Sequence, residues 1–192
     1  MITPKDITNF SRSTHELQAF FLFGLFCAGK NSDYASKCLS RLLSKNTEEP
    51  FKTLKNLGEV GIHNALVASR IGQYSRLTKG IMQALELDLA TCSLEDLMNI
   101  HGVGPKTARF FLLHTRSGCE CAVLDTHILK FLRDHQVDAP KNTPTNYKQY
   151  LDLEKKFIYL AKINFPSMSL ADIDLTLWMK YSGRLDEDQY SL

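Results

Sequence analysis

Apolar residues recur every three or four positions along most of this chain, and that spacing is typical of helices with one buried face. In the segment 73–87, for example, Leu77, Ile81, Ala84 and Leu85 fall on one side. Strand signals are scarce, because the sequence has neither long alternating runs of Val, Ile and Thr nor an Asn-Gly turn. The pattern predicts an all-helical fold. The predicted helices cover residues 13–28, 33–45, 51–57, 62–69, 73–87, 93–100, 106–115, 128–135, 147–163 and 170–181.

Local signals mark several helix boundaries. Ser13 or Thr14 can cap the first helix. Gly58 and Gly61 separate two short helices that would otherwise be continuous. No connection between the predicted helices is long enough to divide the chain into independent domains.

The composition is that of an ordinary globular protein. Hydrophobic residues make up 44% of the 192 positions, which is enough for one sizeable core or two small lobes. A net charge of +2 favours no class of partner, because the clustering of basic residues matters more than their number. The five cysteines fit no disulfide framework and indicate a reducing compartment. Cys119 and Cys121 have no second cysteine pair after them, so we interpret them as structural thiols.

The sequence predicts a soluble, cytoplasmic protein. The N-terminal residues lack a basic start followed by an apolar run, so we expect no signal peptide. The most apolar stretch, 19–27, has nine residues, whereas a membrane-spanning helix needs about twenty. We therefore expect a buried helix there.

Residues 93–109, SLEDLMNIHGVGPKTAR, predict a helix, a tight turn and a second helix. Ser93 with Asp96 resembles a capping box at the start. Glycines in the turn allow positive φ and leave no Cβ between the backbone and an approaching phosphate, at which the second helix points its free N–H groups. Such a hairpin can bind a DNA phosphate without base contacts. The predicted phosphate-binding residues are Gly102, Val103, Gly104 and Thr107.

Lys106 opens the second helix and stands nineteen positions before Asp125. A lysine amine attacks C1′ of a deoxyribose only when neutral, and an ordinary lysine has a pKa of about 10.4. A nearby carboxylate can take the proton and stabilise the charge that develops on the sugar. Two simpler interpretations stay open: Lys106 as a phosphate contact in a hairpin or plain turn, and Asp125 as a helix cap.

Two segments resemble a known superfamily. HGVGPKTA, at 101–108, followed by VLDTHILKFL, at 123–132, resembles the helix-hairpin-helix/Gly-Pro-Asp DNA glycosylases. The segment 150–184 is similar to the end of the short, archaeal-type 8-oxoguanine DNA glycosylase/lyases. The resemblance implies that Lys106 is the Schiff-base lysine and Asp125 its catalytic partner.

The resemblance also implies a two-lobed fold. It predicts a terminal lobe from residues 1–29 and 130–192. A six-helix barrel lobe, 30–129, would end in the helix-hairpin-helix (93–115) and the loop that carries Asp125. DNA would cross the cleft between the lobes, and the damaged base would be everted. Lys106 would displace that base, and β-elimination would then nick the strand.

Further residues are candidates for contacts with DNA or with the base. Trp178 and Asp174, one helical turn apart, would line the base pocket, although a lone tryptophan on an apolar helix is more often core. Lys30 and Asn31 would fill the gap left in the duplex, or form a loop without a DNA contact. His127 would touch a phosphate or buttress Asp125, or be a structural histidine. Candidates for further phosphate contacts are Arg109, Arg116, Lys130 and Arg133.

We expect no catalytic metal and no iron–sulfur cluster, since no cysteine follows Cys121. The resemblance implies that the hairpin can hold a structural monovalent cation. The expected partner is double-stranded DNA with a damaged base, bound by a monomer in the nucleoid or elsewhere inside the cell. Two alternatives remain: a related enzyme acting on a damaged or modified pyrimidine, and a non-catalytic helix-hairpin-helix module that only binds DNA.

Overall fold

The computed structural model describes residues 2–43 and 49–184, and within these ranges the chain forms helices and no strand. A short 3-10 turn at Pro4–Asp6 precedes the α-helices. In chain order the α-helices are α1 (Thr14–Phe26), α2 (Ser32–Leu43), α3 (Pro50–Ser69), α4 (Tyr74–Ala84), α5 (Leu94–Met98), α6 (Pro105–Thr115), α7 (Thr126–Asp134), α8 (Tyr147–Asn164) and α9 (Leu170–Tyr181). The predicted all-helical class is confirmed.

Capping residues fix several helix starts. The Ser13 hydroxyl accepts the N–H of Glu16, whose carboxylate accepts the N–H of Ser13, so a reciprocal capping box opens α1. Ser93 and Asp96 form the same arrangement at α5, as predicted. The end predicted for the second helix, Lys45, lies outside the described residues.

Helix α3 differs from the two short helices predicted there. It runs from Pro50 to Ser69 with one break, at Gly58, where φ is 64° and ψ is 179°. This backbone conformation favours glycine. Gly61 lies inside the helical part and does not interrupt it. The predicted break at Gly58 is therefore confirmed, and the one at Gly61 is wrong.

Helix α1 is buried on nearly all sides. Every residue from Phe20 to Phe26 is buried, as expected for a helix that is apolar all round. It packs against α2, α3, α4 and α6. No helix in the described part of the chain combines the length and apolar character needed to cross a membrane.

The buried residues form two cores. The first gathers side chains from α1 through most of α6, and the second runs from Leu113 through α7, α8 and α9. Phe110, on α6, packs against both. The predicted division into two lobes, 1–29 with 130–192 and 30–129, stays a prediction. Helix α1 lies in the first core because its phenylalanines and leucines pack on the helices that follow it.

Candidate active site

The hairpin turn connects α5 to α6. Gly102 has φ 82°, and its carbonyl accepts a hydrogen bond from Arg76 Nη1 at 2.9 Å. Gly104 caps α6 with an extended backbone, and Pro105 occupies the first helical position, where its missing N–H costs nothing. A Cβ on Gly104 would meet no atom of the described chain within 4 Å. The start of α6 is therefore open to an approaching anion.

Val103 is buried, whereas the two glycines that flank it are exposed. Its side chain is buried in the first core, at 6% exposure, and its N–H donates to the carbonyl of Ile100 at 3.0 Å. Val103 therefore anchors the turn, and only its carbonyl remains available to a partner outside the chain. Thr107, one turn into α6, is half-buried.

Asp125 caps α7 with one of its two oxygens. Oδ1 accepts the N–H groups of His127 and Ile128, each at 2.9 Å. Within residues 2–43 and 49–184, no donor reaches Oδ2. The carboxylate is half-buried, so the cap fixes its orientation while leaving a second oxygen for another role.

Side chains from both cores line one cleft of about 680 Å³. That volume is in the range of sites for small molecules and cofactors. Most of the predicted site residues lie on its walls: Lys30, Asn31, Lys106, Thr107, Asp125, His127, Asp174 and Trp178. The hairpin residues 102–104 are not part of its lining.

Burial and neighbouring charges shift the pKa values of two groups that line the cleft. Burial raises the pKa of the Cys27 thiol to about 12, and the charge of Lys106 opposes that rise. Burial also raises the pKa of Asp174. A hydrogen bond and charge from His114 oppose that rise, the charge of Asp125 adds to it, and Lys106 lowers it. Lys106 and Asp125 therefore both act on Asp174 from within electrostatic range.

Comparisons with known proteins identify the family of this chain. A family model described as 8-oxoguanine DNA glycosylase matches residues 8–164. The chain belongs to the 8-oxoguanine DNA glycosylase family. It is thus an enzyme of the DNA glycosylase class, and membership of the helix-hairpin-helix superfamily is confirmed.

Relatives of this glycosylase have names that agree with the family. The 8-oxoguanine DNA glycosylase/AP lyase of Saccharolobus islandicus is 26% identical over 164 residues, which cover 84% of this chain and 73% of the relative. The protein of that name from Saccharolobus solfataricus is 27% identical over 162 residues, with the same coverage. The crystal structure of the 8-oxoguanine DNA glycosylase of Thermotoga maritima superposes with a TM-score of 0.67 at 22% identity, covering 91% of this chain and 84% of that one, and so shows the same fold.

Arg109 of the glycosylase is buried, although the sequence analysis proposed it as a candidate phosphate contact. Its side chain is 2% exposed and forms two hydrogen bonds, of 2.7 and 2.9 Å, with the carboxylate of Glu154. Glu154 also accepts the N–H of Ala122 at 2.8 Å. The Tyr150 hydroxyl accepts from Leu124 N and donates to the Ala122 carbonyl. These bonds hold the segment that leads to Asp125.

The other basic candidates of the glycosylase have partners within the protein. Arg116 donates to the carbonyl of Leu89, and Arg133 to that of Pro140. The Lys130 ammonium lies over the Tyr181 ring. Arg116 and Arg133 therefore have structural roles.

Trp178 lies beside the cleft and belongs to neither core. It is half-buried, and the guanidinium of Arg184 lies 4.8 Å from its ring centre. Arg184 also forms an ion pair of 2.7 Å with Asp33, at the start of α2. Trp178 is therefore a residue of the cleft wall, and its contact with a damaged base stays a prediction.

Lys30 and Asn31 line the cleft between α1 and α2 in the chain. The Asn31 side chain accepts the N–H of Asp33 at 2.9 Å and so helps to start α2. The Lys30 ammonium lies 6.0 Å from the ring centre of Tyr34. Whether either side chain enters a duplex remains a prediction.

His114, on α6, is a site residue that the sequence interpretation missed. It is 0% exposed and contacts Asp174 at the wall of the cleft. The available signal was a histidine inside an otherwise apolar run of α6, because a buried polar ring needs polar partners. Nothing in the local sequence identifies those partners.

Proposed function

We propose that this enzyme excises 8-oxoguanine from double-stranded DNA and then cleaves the strand through a Schiff base on Lys106. The observation that carries the proposal is the shared cleft, which is lined by Lys106, Asp125, Asp174 and Trp178. Asp125 caps α7 with Oδ1 and so has its second oxygen available. The names of the archaeal relatives support 8-oxoguanine as the substrate and lyase action as the second step.

The chemistry begins at C1′ of the damaged nucleotide. Asp125 Oδ2 accepts a proton from the Lys106 ammonium, and the neutral amine attacks C1′ while the bond from C1′ to the base breaks. The base leaves as its anion and takes up the proton that Asp125 accepted from Lys106, which returns Asp125 to its carboxylate form. That carboxylate then stabilises the positive charge of the adduct between Lys106 and C1′.

Strand cleavage follows from the covalent intermediate. Ring opening of the sugar gives an iminium between Lys106 and C1′, which makes the C2′ protons acidic. The carboxylate of Asp125 takes one C2′ proton as the 3′ phosphate leaves by β-elimination, and a water molecule then hydrolyses the imine and frees Lys106.

DNA binding is assigned to the hairpin side of the cleft. The backbone at Gly102 and Gly104 and the start of α6 at Thr107 would hold a phosphate, and His127 would contact the next one or support Asp125. Lys30 and Asn31 would occupy the gap left by the everted nucleotide. Since one chain contributes every one of these groups, we propose that the enzyme acts as a monomer.

A monovalent cation at the hairpin stays a prediction, as does the expected lack of an iron–sulfur cluster. Arg76 already donates to the Gly102 carbonyl, so a cation would use other carbonyls of the turn. A cation there would add positive charge beside the phosphate, with no part in the chemistry of Lys106.

Single-turnover excision from a panel of lesion duplexes tests the proposal. We expect fast excision and nicking of 8-oxoguanine, and a loss of at least about a thousandfold in Lys106→Gln. The matched control Lys162→Gln changes an exposed lysine that pairs with Glu120 and should keep wild-type rates. Release of a modified pyrimidine but not 8-oxoguanine would overturn the substrate assignment. Tight DNA binding with no release of any base would leave only a binding module.

A further inference from the structure

Cys119 and Cys121 form a pair of thiols in the loop between α6 and α7. Their sulfur atoms lie 3.5 Å apart, and both side chains are half-buried. A disulfide needs its two sulfurs at about 2.0 Å. The loop can make this small movement, because the pair lies outside the helices and follows Gly118, which has open space around it.

Cys119 can be reached from the protein surface. It lies between exposed Gly118 and Glu120 and lines a cavity of about 160 Å³, separate from the cleft. Arg116 and Lys162 line the same cavity, and Lys162 pairs with Glu120 at 2.7 Å. The cavity has far more room than a water-sized molecule needs. A small neutral oxidant such as hydrogen peroxide can therefore approach Cys119.

The surroundings favour ionisation of Cys119 over that of Cys121. The hydrogen bond from the Cys121 thiol lowers the pKa of Cys119, and the charge of Arg116 lowers it further, against the effect of burial. The same hydrogen bond, together with burial, raises the pKa of Cys121. When Cys119 keeps its proton, the Cys121 thiol can donate instead to the carbonyl of Arg109, at 3.7 Å. Cys119 is therefore the thiol that ionises first.

The other three cysteines are less accessible or less easily ionised. Cys38 and Cys92 are buried, and burial raises the pKa of the Cys92 thiol. Cys27 lines the larger cleft, but burial raises its pKa to about 12 although the charge of Lys106 opposes that rise. Since the thiolate is the form that reacts with peroxide, these three thiols should react slowly.

We propose that Cys119 and Cys121 are a peroxide-sensitive modification site, at which hydrogen peroxide closes a reversible disulfide. This role goes beyond base excision and uses none of the groups assigned to it. It replaces the structural role that the sequence suggested for the pair.

Oxidation takes place in two steps. The Cys119 thiolate attacks one oxygen of the peroxide and the O–O bond breaks, which leaves a sulfenic acid on Cys119 and a hydroxide that takes the proton of Cys121. The Cys121 sulfur then attacks the Cys119 sulfur and the S–O bond breaks. The second hydroxide becomes water with the proton that Cys119 lost on ionising. Two electrons pass from the thiols to the peroxide, and a low-molecular-weight thiol reverses the reaction by exchange.

The test treats the reduced protein with hydrogen peroxide, alkylates the remaining thiols and maps the tryptic peptides by mass spectrometry. Residues 117–130 form one tryptic peptide that contains both cysteines. We expect this peptide to lose two hydrogen atoms at least about tenfold faster than Cys27, Cys38 or Cys92 is oxidised. Dithiothreitol should restore the reduced peptide.

Serine variants assign the role of each thiol. Cys121→Ser removes the second thiol, so a sulfenic acid on Cys119 should accumulate and be trapped by dimedone. Cys119→Ser removes the first thiol, and Cys121 should then be oxidised at least about tenfold more slowly than the wild-type pair.

Three results would overturn the proposal. They are equal oxidation rates in Cys119→Ser and the wild type, first oxidation at one of the other three cysteines, and a wild-type product that ends at a sulfinic acid on Cys119. The wild-type peptide map can give the last two results even where a variant does not fold.

Discussion

At the scale of single residues, Asp125 combines a structural and a chemical role. Its Oδ1 accepts two backbone N–H groups at the start of α7, and the residue lines the cleft, so the cap fixes the carboxylate there. A rigid carboxylate needs little reorganisation when charge develops on the sugar. The same residue can therefore be a cap and a catalytic group, because each role uses a different oxygen.

Substitutions of Asp125 separate these roles. Asn is as good a cap as Asp, so Asp125→Asn should keep the thermal midpoint while excision falls by about 10²- to 10⁴-fold. Asp125→Ala should lose excision and also about 1 kcal/mol of stability with the cap. Thermal unfolding and single-turnover excision measure the two effects. Wild-type excision by Asp125→Asn would refute the catalytic role.

At the scale of elements, the two hairpin glycines are needed for different reasons. Gly102 has a left-handed backbone, and a Cβ there would lie 2.7 Å from Arg76 Nη1. Gly104 is extended and has open space around it, so neither its own conformation nor packing within the chain requires glycine. The proposed phosphate site would account for the lack of a side chain at Gly104, because a bare backbone allows close approach of a phosphate.

Substitution by alanine should therefore affect a different property at each glycine: stability at Gly102 and DNA binding at Gly104. Gly102→Ala should destabilise the fold by roughly 1–3 kcal/mol, the usual cost of a left-handed non-glycine residue. Gly104→Ala should leave stability unchanged and weaken binding to undamaged DNA by about tenfold, since the methyl group occupies the place of a phosphate. Chemical denaturation and fluorescence anisotropy report these quantities. Unchanged DNA affinity in Gly104→Ala would contradict the phosphate site.

Helices α6 and α8 are joined by the buried pair of Arg109 and Glu154, close to the segment before Asp125. Removing one partner leaves a buried charge unpaired, so Glu154→Gln should cost about 3–5 kcal/mol in the free energy of unfolding. The control Glu86→Gln breaks the exposed pair with Lys55 and should cost less than about 1 kcal/mol. Equal losses in urea denaturation would show that the buried pair does not brace these helices.

At the scale of the whole molecule, the sequence could predict the features that depend on residues close together in the chain. Apolar spacing identified the helices, and capping residues such as Ser13 and Ser93 located their starts within a few positions. Lys106 and Asp125 could be predicted as a pair because each lies in a short, characteristic motif. The contacts that complete the site join residues far apart in the chain: 45 positions separate Arg109 from Glu154, and 60 separate His114 from Asp174.

Such contacts depend on which helix faces meet, and periodicity within one helix carries no information about its neighbour. For this reason Arg109 was misinterpreted as a surface residue, and His114 was overlooked. The helices on which α1 packs, α2, α3, α4 and α6, could not be predicted for the same reason. A helix that is apolar on every side gives no indication of which neighbours cover it.

The central claim is that an imine forms between the Lys106 amine and C1′ of the damaged nucleotide. Borohydride reduces this imine to a stable covalent bond. The enzyme is mixed with an 8-oxoguanine duplex in the presence of borohydride, and the cross-linked peptide is mapped by mass spectrometry. The account predicts a sugar adduct on Lys106 that disappears in Lys106→Gln. An adduct on Lys30, the other lysine on the wall of the cleft, or base release without any adduct would contradict it.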